Sequence, residues 1–212
     1  ALGSCRIMRK TTLPSSTKAE TLDTLSPALS HSNAFPRAVS LLLNVAHAID
    51  HMFLLIFATA VATIAVEFGY ANWTDLMPYS VGAFAMFGLA ALPAGRLGDL
   101  WGRRVMMIVF FAGIGVAALI VALTQNAWQL AAALTLLGAF AAIYHPVGIP
   151  MLVQNVSNPG SVIGINGLAG NLGIAVAALL TGFLVKWIGW RAAFAIPGVL
   201  AIGCAMVLAI VC

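Results

Sequence analysis

Carboxylates are rare inside long apolar tracts, yet Asp50 lies in one, together with Asn44, His47 and His51. At about 100° per residue these four side chains fall within about 120° of one helical face. A charged Asp near the middle of a bilayer costs at least ~2.5–3.5 kcal/mol, so Asp50 must face water, find a partner or stay protonated. Imidazoles one turn away can supply that partner. With an unperturbed pKa near ~6.5 they exchange protons under physiological conditions. His145, followed by Pro146 in a second apolar tract, is a further ionisable group of the same kind. Proton exchange at Asp50 and His47, tuned by His145, is one chemistry these residues support. Divalent-metal binding by His47, His51, Asp50 and His145 is another, because imidazole and carboxylate are suitable ligands. A third is a structural hydrogen-bond network, in which a polar pair between membrane helices contributes ~0.6–2 kcal/mol.

The elements that position these groups follow from composition. Of 212 residues, 62% are hydrophobic and 8% charged, far from the roughly 25% charged residues of a soluble domain. No Asp, Glu, Lys or Arg occurs between Arg104 and Lys186, a tract long enough to cross a bilayer about three times. Nucleic-acid binding is excluded as the main activity despite a pI near 9.3; the lipid bilayer is the expected surroundings. Apolar runs predict six spanning helices near 39–66, 74–94, 105–123, 128–152, 161–185 and 192–212, numbered spans 1 to 6, joined by short connections that make neighbours antiparallel.

Cations set the orientation. Arg6, Arg9, Lys10, Lys18, Arg37, Arg96, Arg103 and Arg104 fall on one side of this arrangement, and only Lys186 and Arg191 on the other. The positive-inside rule then places the N-terminus in the cytoplasm. Residues 1–37 lack the apolar stretch of a secretory signal, and their Ser, Thr and Pro content reads as a disordered cytoplasmic tail. Cys5, Cys204 and Cys212 are too scattered for a disulfide framework or a CxxC metal pattern.

Polar side chains concentrate in span 1 (Asn44, His47, Asp50, His51, Thr59, Thr63), span 4 (Gln129, Thr135, Tyr144, His145) and span 5 (Asn166, Asn171, Thr181). This predicts spans 1, 4 and 5 around a wet interior, with spans 3 and 6 outside, facing lipid. Asn44, His47, Asp50, His51, Tyr144, His145, Asn166 and Asn171 form the expected coupling and substrate cavity. Gly164, Gly167, Gly170 and Gly173 recur every third residue in span 5, a small-residue ribbon that lets another helix approach closely. Pro146 and Pro150 predict a kink in span 4.

The run Gly95-Arg96-Leu97-Gly98-Asp99-Leu100-Trp101-Gly102-Arg103-Arg104 resembles the signature between helices 2 and 3 of major facilitator superfamily transporters. Gly95, Leu97, Asp99, Gly102, Arg103 and Arg104 match it; Gly98 replaces the usual Ala and Leu100 a frequent Arg. Read physically, the run is a cytoplasmic gating loop in which glycines allow a tight turn and Asp99 accepts backbone hydrogen bonds or pairs with an Arg. Tyr144-His145-Pro146, Gly189-Trp190-Arg191 and the His47 to His51 stretch are similar to a bacterial branch that includes fosmidomycin-resistance-type exporters. Two positions depart from drug/proton antiporters: Leu134 stands where many carry an Arg, and Gly173-Ile174 replaces a Gly-Pro pair.

The resemblance covers residues 38–212. It implies an all-α membrane fold in which six transmembrane helices form one half of a twelve-span bundle, built from two inverted three-helix repeats. The chain is therefore read as a fragment whose partner is a missing C-terminal half, or else as a half-transporter that pairs with a second copy. The implied function is secondary active transport of a small solute by alternating access, with proton-coupled efflux of a drug-like or organic compound across a bacterial inner membrane. A divalent-metal transporter is the alternative, with a membrane metalloenzyme or a non-transporting sensor behind it. No HExxH, nucleophile with base or Gly-rich nucleotide loop occurs, so no enzyme activity, cofactor or resident metal is expected.

Overall fold

The computed structural model describes residues 37–154 and 156–211. The expected tail lies outside these residues except for Arg37, which opens the first helix; Cys5 and Cys212 lie outside them too. Among the described residues eight α-helices follow in order: α1 Arg37–Glu67, α2 Val81–Leu89, α3 Ala91–Trp101, α4 Arg103–Ala122, α5 Ala127–Ala141, α6 Ile149–Leu152, α7 Pro159–Trp187 and α8 Trp190–Val211. Five continuous stretches are long and apolar enough to cross a membrane, α5 through α6 counting as one. A sixth is a pair, Trp73–Leu89 and Ala91–Trp101, bent by 44°. Spans 1 to 6 are thus α1, the bent pair, α4, α5 with α6, α7 and α8.

Local sequence accounts for the ends of these helices. At the end of α1, Gly69 adopts φ 77°, which a Cβ would disfavour. Its N–H reaches the Val66 carbonyl while the Tyr70 N–H returns to Ala65, closing the helix as a Schellman motif. Asn126 and Asn158 cap α5 and α7 by accepting from the Gln129 and Ser161 N–H groups at 3.0 and 3.2 Å. Pro159 follows the second cap at a position where its missing N–H costs nothing.

Packing pairs span 1 with 5, span 2 with 4 and span 3 with 6, with further contacts between 3 and 4 and between 1 and 6. Exchanging 1 with 4, 2 with 5 and 3 with 6 leaves this set of pairings unchanged. Because spans 1 and 4 run in opposite directions, that is the contact pattern of two inverted three-helix repeats.

Span 3 does not face lipid all round as its composition predicts. Met106, Met107, Phe110, Phe111, Ile114, Ala117, Ala118 and Val121 are buried, against spans 4 and 6. Apolar residues satisfy lipid and protein interior equally, so the absence of polar groups could not separate the two. Small residues decide the matter here. A Cβ on Gly115 would lie 2.6 Å from the Gly198 carbonyl oxygen, so spans 3 and 6 meet backbone to backbone.

The expected loop over Gly95–Arg104 is also different. Residues up to Trp101 are helical, and the chain turns at Gly102 alone, at φ 91° and ψ 141°. Gly95 and Gly98 serve contact rather than turning. A Cβ at Gly98 would stand 2.9 Å from Val147 Cγ2, and one at Gly95 3.3 Å from Pro146 Cβ.

Candidate functional site: an imidazole and carboxylate cluster

Between α5 and α6 the backbone forms a π-helical turn, Tyr144–Gly148, where Pro146 removes one donor from the helical ladder. The extra residue per turn re-aims side chains, and Tyr144 and His145 both come against His47. The His47 ring stacks on Tyr144 with centroids 4.9 Å apart and meets His145 edge-on at 5.2 Å. The expected kink is therefore a π turn that builds the site.

Asn166 of span 5 ties the cluster together. Its amide donates to Asn44 Oδ1 at 2.9 Å and to the Tyr144 hydroxyl at 2.7 Å. The Tyr144 hydroxyl donates in turn to the Leu43 carbonyl at 3.0 Å. The Asn166 backbone carbonyl accepts from His47 Nδ1 at 2.7 Å. A carbonyl only accepts, so Nδ1 carries the hydrogen, and in the neutral ring Nε2 holds the lone pair. That lone pair points at His51 Nε2, 3.1 Å away.

Gly170 and Gly173 make room for this arrangement. A Cβ at Gly170 would approach the His47 ring to 2.7 Å, and one at Gly173 would overlap the Ala48 carbonyl. Gly164 and Gly167 have open space at the same position, so the expected ribbon is two pairs with different surroundings.

Asp50 differs from its neighbours. It is fully buried, and among the described residues neither carboxylate oxygen has a hydrogen-bond partner. The nearest cationic candidate is His145, whose Nδ1 lies 3.4 Å from Asp50 Oδ2 and is likewise without a hydrogen bond. His145 is itself 38% exposed. The site is thus open on the histidine side and closed on the carboxylate side.

Seven of the eight expected cavity residues lie in this cluster: Asn44, His47, Asp50, His51, Tyr144, His145 and Asn166. Asn171 does not; it is exposed on α7, because a step of five residues from Asn166 turns it well off the shared face. Of the expected gating residues, Gly95 packs against Pro146 in the π turn, and the others lie further along toward the start of span 3. Leu97 packs on the core. Arg103 donates to the Pro150 carbonyl at 3.2 Å and Arg104 to the Ala209 carbonyl at 2.8 Å, so these two arginines tie down the C-terminal ends of spans 4 and 6. Asp99 is exposed and pairs with no cation among the described residues; pairing with an Arg was one of the two roles expected of it.

A second polar group escaped the sequence reading. At the far end, Glu67 accepts from Trp190 Nε1 at 2.6 Å and pairs with Arg191, which also donates to the Thr124 carbonyl at 2.9 Å. The available signal was a lone acid closing one apolar run and a lone Arg opening another on the same side.

The family model described as Major Facilitator Superfamily matches residues 43–212. Among curated relatives, a probable actinorhodin transporter of Streptomyces coelicolor is 31% identical over 60% of this chain, and a puromycin resistance protein of Streptomyces alboniger 32% identical over 50%. A multidrug resistance protein of Yersinia enterocolitica is 29% identical over 62%. The matches reach only 23%, 22% and 32% of those proteins' own lengths.

Proposed function

Because the chain belongs to the major facilitator superfamily, we propose that it forms the N-terminal half of an exporter of small organic compounds, driven by proton exchange at Asp50. A second six-span half, or a second copy, completes the cavity, and the two halves rock about it. The membrane is a bacterial inner membrane, with the N-terminus and Arg103 on the cytoplasmic side.

One observation carries the reading: a fully buried carboxylate with both oxygens unbonded, 3.4 Å from an imidazole that is partly open. A group held purely for structure would have its polar atoms partnered, as the side-chain N–H groups and the backbone carbonyl of Asn166 are. Asp50 is faced by His145 from span 4, with His47 one turn before it and His51 next to it on its own helix and Tyr144 stacked on His47. A proton on Asp50 removes the cost of the buried charge, and its release through His145 restores that cost, so protonation is tied to which side the cavity faces. The names of the relatives, for actinorhodin, puromycin and multiple drugs, support an organic cargo.

The test is uptake of puromycin into inside-out vesicles or proteoliposomes holding the full-length gene product, under an imposed pH gradient. Asp50→Asn is expected to retain exchange of puromycin but lose gradient-driven accumulation by at least tenfold. Accumulation at the wild-type level in that variant overturns the coupling role. Orientation is read separately, by impermeant thiol labelling of intact cells with Cys placed at 187 or 101 in a background free of Cys5, Cys204 and Cys212. Position 187 is expected to react and position 101 to stay protected.

A further inference from the structure

We propose that His47, His51 and His145 form a binding site for one divalent transition-metal ion, with Asp50 orienting His145. The inference rests on the cluster described above and stands whether or not organic compounds are the cargo.

One ligand atom from each of the three imidazoles can be chosen so that all lie within 4.8 Å of one another. Zinc is bound by imidazole at about 2.0–2.1 Å in tetrahedral geometry, which places two ligand nitrogens a little over 3 Å apart. His47 Nε2 and His51 Nε2 already stand at 3.1 Å, so an ion takes the place of the hydrogen between them once both rings turn toward it and His51 carries its own hydrogen on Nδ1.

The surroundings of two rings fit ligation. A metal-binding histidine donates its other N–H to a carbonyl or a carboxylate, which fixes the tautomer and raises the basicity of the ligating nitrogen. His47 does this with the Asn166 carbonyl at 2.7 Å, which keeps the Nε2 lone pair on the side that faces His51. His145 directs Nδ1 at Asp50 Oδ2 at 3.4 Å, and closing that gap by a few tenths of an ångström makes the same arrangement. Asp50 is the independent pointer to an ion. It is a fully buried carboxylate with no hydrogen-bond partner among the described residues, and a divalent charge beyond His145 offsets its burial. Three imidazoles and a position left for water favour a borderline cation such as Zn²⁺, Co²⁺ or Ni²⁺ over Ca²⁺ or Mg²⁺, which take oxygen ligands.

The experiment uses the full chain in detergent, purified without a histidine tag and carrying Cys5→Ser and His31→Ala so that the tail adds no thiol or imidazole. Titration calorimetry with Zn²⁺ is expected to give one ion per chain, and Co²⁺ a visible absorption band of tetrahedral intensity. His51→Gln and His145→Gln should each weaken Zn²⁺ binding at least tenfold, and Asp50→Asn about tenfold. Unchanged affinity in the His51→Gln/His145→Gln double variant, or no Zn²⁺ binding by the parent chain, overturns the proposal. Should the variants fail to fold, diethyl pyrocarbonate modification of the wild-type chain decides. Zn²⁺ is expected to protect His51 and His145 while His31 continues to react, and equal modification with and without Zn²⁺ overturns the site. Binding is read without transport, so its failure leaves the export reading standing, and failed export leaves the site standing.

Discussion

The two ends of the span 3 and span 6 pair are built on one plan and finished differently. At one end Gly102 turns the chain with φ 91°, and Arg104, the second residue of α4, donates to the Ala209 carbonyl in the last turn of span 6. At the other end Gly189 turns the chain with φ 125°, and Arg191, the second residue of α8, donates to the Thr124 carbonyl just past span 3. Each helix begins by capping the end of the other, as an inverted repeat requires. The difference is the acid. Glu67 is bound by Arg191 and Trp190, and the Arg191 guanidinium lies 4.3 Å over the Trp190 ring. Asp99, the acid at the other end, is exposed without a cationic partner among the described residues. A closed clamp is suited to holding three helix ends still, and an open one to exchanging partners.

The largest break in this comparison is Gly115→Leu, which removes both clamps by forcing spans 3 and 6 apart. The clashing atom is a backbone carbonyl that cannot rotate away, so a loss of about 3 kcal/mol is expected, measured by thermal unfolding in detergent. Second is Arg191→Ala, which leaves Glu67 with Trp190 alone and frees the Thr124 carbonyl. Hydrogen bonds to charged groups contribute about 1.5–3 kcal/mol, but this pair is two-fifths exposed, and solvent screening reduces the expectation to about 1 kcal/mol. Arg104→Ala follows at under about 1 kcal/mol, since it loses a single exposed bond. The smallest stability effect belongs to Asp99→Asn, expected to leave the unfolding temperature unchanged while lowering transport by the full-length protein several-fold. If Asp99→Asn transports like wild type, the open clamp has no role in movement and the two ends differ only in stability.

The cluster around Asp50 extends the same lesson inside the membrane. Asn166 has its amide and carbonyl engaged and reads as the fixed part; Asp50 has neither oxygen engaged and reads as the part that changes state. In a domain with so few charges, how completely a polar group is satisfied separates holding from working.

Hydropathy and periodicity by themselves determined that the chain is helical and membrane-spanning, and that Asn44, His47, Asp50 and His51 share a face, because the bilayer leaves the backbone few alternatives and the helical period is fixed. The Gly102 to Arg104 run was legible as a turn with cations for the same local reasons. Tertiary structure decided the rest. Whether span 3 meets lipid or protein depends on where Gly115 finds Gly198, since apolar side chains fit both surroundings. Whether Gly95 and Gly98 turn the chain or admit a neighbour depends on Pro146 and Val147. The exclusion of Asn171, the pairing of Glu67 with Arg191 and the solitude of Asp50 depend on residues far away in sequence, brought together by helix packing that local pattern does not encode.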